Sequence, residues 1–162
     1  MTKRTRTYAW DDPLELLSRA GELSGIQALQ LIAAGELPPP PFAQTLGFGR
    51  IEVEKGRATF EIEPAEFHYN PIGVVHGGLA LALLDSAMGC AVHSTLAAGV
   101  AYTTLEVKVN FVRPLTSSTG RVRCIATVVH GGRTVATAEG RLVDAEGKLY
   151  AHGTSTLLIF GD

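Results

Sequence analysis

A chain of 162 residues with a net charge of −2, 46% hydrophobic and 19% charged residues, has the size of one domain plus an appendage. That apolar share supplies a sizeable core and excludes a disordered chain. The near-neutral charge gives no electrostatic reason to expect nucleic acid or an anionic membrane as the main partner, and leaves room for a local basic groove around a phosphorylated ligand. Cys90 and Cys124 lack C-x-x-C spacing and sit in apolar sequence, as reduced core thiols do. The first six residues are basic, but Asp11, Asp12 and Pro13 stand where the apolar stretch of a secretory signal would be. The expected compartment is the cytoplasm.

Residues 1–44 read as an N-terminal helical extension with a proline-rich connector. Leu16, Leu17, Ala20 and Leu23, then Ile26, Leu29, Leu31 and Ile32, carry the spacing of two short amphipathic helices within Leu14–Ala34. They join near Ser24-Gly25, where Ser24 can cap the second. Gly35 stops that helix, and Pro38 to Pro41 cannot continue it and make a stiff connector. From residue 45 to 162 the period changes to that of a separate domain. Ile51 and Val53, then Ala58, Phe60 and Ile62, alternate with polar residues around a Lys55-Gly56 hairpin turn. Further strand patterns at 102–113, 120–130, 133–143 and 149–159 are separated by short turns, which implies an antiparallel meander.

Between the two sets of strands, Gly77 to Leu96 is rich in Ala and Leu. A helix apolar all round is a buried helix. Its length would span ~30 Å, but Asp85 near its centre and the two opening glycines argue against a membrane span. The expected architecture is α+β, an antiparallel sheet wrapped around one long buried helix.

The chemistry-bearing residues concentrate at Asn70-Pro71-Ile72-Gly73-Val74-Val75-His76-Gly77-Gly78 and at Asp85. Asn70 before Pro71 disfavours helix, so an ordered loop leads into the helix. The Gly77 and Gly78 amides then open a helix whose dipole favours negative charge, a place that can hold an oxyanion. A glycine turn that merely packs the helix closely is the other reading. Asp85, amid Leu81, Leu83, Leu84, Met88 and Ala91, is costly to bury unpaired and is either satisfied structurally, for instance by His93, or retained for function. No G-x-S-x-G elbow supports a serine hydrolase, the five histidines lack metal-ligand spacing, and no glycine-rich nucleotide loop is present.

From about Leu46 to Phe160 the chain resembles the PaaI-like acyl-CoA thioesterases of the hotdog-fold superfamily. The resemblance is carried by N-P-I-G-V-V-H-G-G-L-A-L-A-L-L-D-S-A-M-G at 70–89, V-N-F-V-R-P at 109–114 and G-R-T-V-A-T-A-E-G at 132–140. It implies hydrolysis of an acyl-coenzyme A thioester to free acid and CoA, with coenzyme A as part of the substrate and no separate cofactor or metal. Asp85 would be the general base or nucleophile, the Gly77 N–H the oxyanion donor and His76 a shaper of that turn. Asn70 would orient the thioester or the attacking water. Thr104 matches a hydroxyl position that helps place water. Relatives with a hydroxyl one turn after the acid differ here, where Gly89 stands. Arg113 and Arg133 suit coenzyme A phosphates, or are solvated charges at strand ends. The resemblance also implies a homodimer, commonly paired into a homotetramer. A non-catalytic acyl-CoA-binding protein and a hotdog-fold dehydratase or hydratase are the alternatives.

One geometric expectation is independent of the resemblance. Gly77 and Asp85 are eight residues apart, ~12 Å along a helix. One thioester carbonyl must meet both groups at ~3–3.5 Å. If both serve one carbonyl, Asp85 comes from a facing protomer.

Overall fold

A helix without a polar face needs a surface on every side, and the fold supplies one. In the computed structural model, which describes residues 2–161, helix α4 (Gly77–His93) buries nine residues, among them Leu83, Leu84 and Met88. Around it curls a six-stranded antiparallel sheet. Its strands are β1 (Ile51–Glu54), β2 (Arg57–Ile62), β3 (Ala101–Phe111), β4 (Val122–Gly131), β5 (Val135–Asp144) and β6 (Leu149–Phe160). Their order is β1-β2-β4-β5-β6-β3, so α4 carries the chain from one side of the sheet to the opposite edge. Ile62, Val122, Leu142 and Leu157 from the strands close over the helix and are fully buried with it. Close approach is set by glycine: a Cβ at Gly140 on β5 would lie 2.9 Å from the Leu84 side chain. The α+β expectation holds. No helix among the described residues is long and apolar enough to cross a membrane.

Strand β3 contains an irregularity that alternation alone does not announce. Thr104 pairs with Leu157 and Glu106 with Thr156, leaving Leu105 as an extra, bulged residue. Such a bulge reverses which side chains face in. Tyr102 and Thr104 point toward the α4 side before it, and Val107 and Val109 pack on the core after it.

The N-terminal extension forms three helices. The first, α1 (Pro13–Ala20), is capped by Asp12, whose carboxylate accepts the Leu14 N–H at 2.8 Å. In α2 (Gly25–Ala34) the Gln27 side chain reaches back to the Ser24 N–H at 3.0 Å, and Gly35 ends the helix at φ 77°. Both helices lie where the periodicity placed them. A third, α3 (Pro41–Leu46), was not anticipated. The last proline of the run opens it rather than extending the connector, because a fixed φ and a missing N–H suit the first helical position. The helix crosses residue 44, the expected end of the extension.

This extension is docked onto the sheet and helix rather than tethered beside them. Helix α2 packs on β1 and α4, burying Ala28 and Leu29, with Leu37 buried just beyond. The Gly25 N–H donates to the Leu96 carbonyl at 3.1 Å, and a Cβ at Gly25 would overlap the His93 carbonyl. Gly25→Ala therefore pushes α2 off the end of α4, at about 1–3 kcal/mol. Calorimetry at matched protein concentration should show Tm lowered by about 2–4 °C for each kcal/mol. An unchanged Tm would mean that α2 does not hold this position.

Candidate active site

The loop before α4 is fastened by its own backbone. The Asn70 N–H donates to the Val74 carbonyl at 2.8 Å, and Asn70 Oδ1 accepts the N–H groups of Ile72 and Val74 at 3.1 and 3.3 Å. Gly73, at φ 84°, makes the turn between them. Val75 and His76 are pinned in turn, their N–H groups donating to the carbonyls of Leu115 and His68. Asn70 thus holds the loop with its oxygen, and among the described residues its Nδ2 has no partner.

His76 is the N-cap of α4, and its Nδ1 accepts the Gly78 N–H at 2.8 Å. In the neutral ring the proton then sits on Nε2. The Leu79 N–H donates to the His76 carbonyl at 3.0 Å. Of the three amides that open the helix, only that of Gly77 has no acceptor among the described residues. An unpaired donor at the positive end of a helix dipole is suited to an anionic oxygen. Gly77 lines a cavity of about 270 Å³ together with His76, Phe111, Arg113 and Tyr150. The Phe111 ring lies over Gly77, where a Cβ would come within 3.3 Å of it.

Two turns further along α4 stands Asp85, half-buried. Its Oδ1 accepts the Thr104 hydroxyl hydrogen at 2.9 Å, and among the described residues its Oδ2 makes no hydrogen bond or ion pair. The bulge at Leu105 fits this contact, since it leaves Thr104 facing inward. His93 is not the partner of Asp85. Its ring lies 5.5 Å from that of Tyr102, its Nδ1 is buried without a partner among the described residues, and burial lowers its pKa. Burial, followed by the nearby Asp85 charge, pushes the Cys90 thiol up to about 12. Cys124 reaches about 12 by burial alone, and both thiols are free.

The structure brings some of the expected site residues together and separates others. His76 and Gly77 open α4 on one cavity with Arg113, and Asn70 sits in the loop that leads to them. Asp85 and Thr104 form a second group. Arg133 precedes β5 and Arg113 follows β3, at opposite ends of β6, so one chain does not present both to one ligand. Sequence reading missed Tyr102. Its hydroxyl occupies the space above Gly89, where a Cβ would lie 2.8 Å from Oη. The available signal was the glycine itself, inside a helix and one turn after the acid, where close approach by a bulky group is the usual reason.

A model of the thioesterase superfamily matches residues 72–151. A candidate esterase of Saccharolobus solfataricus is 36% identical over 101 residues, covering 62% of this chain and 70% of that protein. The chain belongs to the thioesterase superfamily. Among solved structures of this kind, a candidate thioesterase of Ralstonia eutropha, described as phenylacetic acid degradation-related, is 32% identical with TM-score 0.72. That comparison covers 80% of this chain and 98% of the other. The Escherichia coli PaaI protein from the phenylacetic acid degradation operon shares the hotdog fold at TM-score 0.72 and 23% identity, over 86% and 96% of the two chains. The 1,4-dihydroxy-2-naphthoyl-CoA hydrolase of Listeria monocytogenes is 25% identical over 116 residues, 72% of this chain and 93% of that enzyme. Membership in this superfamily supports hydrolysis of acyl thioesters as the general chemistry. Among the described residues no trio of His, Cys, Asp or Glu side chains is grouped to hold a metal ion.

Proposed function

We propose that this thioesterase hydrolyses acyl-coenzyme A, at sites where the Gly77 amide of one subunit faces Asp85 of another. The carrying observation is the separation of the two groups on one helix. Gly77 opens onto the cavity of Phe111 and Arg113, whereas Ser86, the residue after Asp85, lines a different cavity. A second chain packed with two-fold symmetry supplies the missing half twice over, giving two equivalent sites per dimer. Pairing of dimers into tetramers fits the same family pattern.

The chemistry follows from the free atoms. The thioester carbonyl oxygen accepts the Gly77 N–H while Asp85 Oδ2 takes a proton from water. The water oxygen bonds to the carbonyl carbon, and the negative charge that develops on the carbonyl oxygen meets the helix N-terminus. The C–S bond then breaks as the carbonyl reforms, and the proton held by Asp85 passes to the leaving sulfur. The products are a carboxylic acid and coenzyme A. Thr104 fixes the carboxylate through Oδ1, Asn70 and His76 hold the Gly77 turn, and Arg113 on the cavity rim suits a phosphate. Both the superfamily and the coenzyme A thioester named for the Listeria relative support this reading.

A free-thiol release assay across aryl, short, medium and long acyl-CoAs tests it. One thiol and one free acid should appear per substrate consumed. Binding without thiol release across the panel would favour a non-catalytic acyl-CoA carrier. A double bond formed, or water added to an enoyl-CoA, would favour a dehydratase or hydratase.

A further inference from the structure

Next to Ser86, which follows Asp85 in the chain, lies a cavity of about 350 Å³ that the hotdog core alone does not enclose. The docked extension roofs it with Leu29 and Ile32 of α2 and Phe42 of α3, and β1 and β2 add Ile51 and Phe60. Its volume falls at the lower end of the ~300–1,000 Å³ typical of small-molecule pockets. On the α4 side it meets Ser86, the residue after Asp85, together with Cys90 and Tyr102. Tyr102 makes no hydrogen bond among the described residues, although its phenol is pushed up in pKa by burial and then by Cys90 and Asp85. The hydroxyl therefore keeps its hydrogen-bonding capacity for a group that enters the cavity Tyr102 lines. The void is thus mostly apolar in its roof, which Gln44 and Arg50 also line, and carries an unused hydroxyl near the carboxylate.

We infer that this cavity is the acyl pocket, and that the N-terminal extension sets which acyl group is accepted. The inference rests on the thioester-hydrolase reading and adds the substrate class. That class is a compact, mainly apolar acyl group, aryl or medium-chain, carrying an oxygen close to the thioester. The apolar body packs under α2 and α3, and its oxygen hydrogen-bonds with Tyr102 Oη. Short acyl groups leave the roof unfilled, and long chains exceed the volume.

Three variants test size and polarity separately, each with the full-length chain. Ile32→Trp fills the roof, and the ratio of kcat/KM for octanoyl-CoA over acetyl-CoA should fall at least about 10-fold, the worth of a methylene or more in such a pocket. Phe42→Ala, at an exposed position, enlarges the same roof and should widen acceptance of lauroyl-CoA, which keeps the test open if Ile32→Trp does not fold. Tyr102→Phe keeps the ring. It should lower the preference for 3-hydroxyoctanoyl-CoA over octanoyl-CoA at least about 10-fold. A purely structural tyrosine would lower both substrates together. Thiol release by the wild type combined with unchanged acyl profiles in folded Ile32→Trp and Phe42→Ala would overturn the pocket and leave the hydrolase reading standing. An unchanged preference in Tyr102→Phe would overturn the hydroxyl's part. No thiol release from any acyl-CoA by the wild type would remove the reading on which both rest.

Discussion

Asp85→Asn should retain the fold and lose about 10²–10⁴-fold in kcat, the usual contribution of a positioned general base. The substitution is nearly isosteric, and the amide oxygen still accepts the Thr104 hydroxyl that now donates to Oδ1. What disappears is the free carboxylate oxygen proposed to take the proton from water. The loss should therefore fall on kcat, with KM little changed. Single-turnover thiol release at saturating acyl-CoA, with a melting curve matched to the wild type, measures it. Wild-type turnover in the pure, folded variant would remove Asp85 from the chemistry.

Removing the proposed oxyanion donor, the Gly77 amide, without disturbing the helix should cost about 10²–10³-fold in kcat. The donor is a backbone amide, so only proline deletes it, and the position tolerates proline. Gly77 is the first residue of α4, where a missing N–H leaves no helical bond unmade. His76 before it has φ −62° and ψ 133°, the extended geometry that a residue preceding proline requires. The added ring atoms meet Phe111, an exposed side chain able to turn aside. Gly77→Ala adds the same Cβ and keeps the N–H, so it isolates the steric part. Comparable losses in the two variants would assign the effect to Phe111 rather than to the amide.

Much of the fold could be read from residues that act locally. An unbroken run of Ala and Leu after two glycines can only be a buried helix. Gly35 and Gly56, at φ 77° and 79°, stop α2 and turn the first hairpin as their positions in the sequence indicate. Asp85 stood out because a carboxylate in that run needs a reason. The missed features depend on tertiary context or on breaker residues used in an unexpected sense. The six residues of α3 are too few to show a period, and the proline that starts the helix also marks a chain break. The Leu105 bulge leaves no trace in T-T-L-E-V-K-V, which alternates plausibly in either register. Tyr102 reaches Gly89 only because α4 and β3 pack together. The cavity under α2 and α3 joins segments far apart in the chain, and nothing in the extension read alone indicates a pocket. The opposite placement of Arg113 and Arg133 follows from strand direction, which neither local sequence contains.

The central claim is that one site draws Gly77 and Asp85 from different subunits, and mixing the two disabled chains tests it most directly. Asp85→Asn and Gly77→Pro proteins, each nearly inactive alone, are unfolded together at equal amounts and refolded. Random pairing makes half of the dimers mixed, and each mixed dimer then holds one intact site and one doubly damaged site. Activity should recover to about a quarter of the wild-type value on this symmetry argument. If Gly77 and Asp85 of the same chain formed a site, every site in the mixture would carry a lesion. Mixed dimers confirmed by mass spectrometry, yet no more active than either parent, would contradict the shared site.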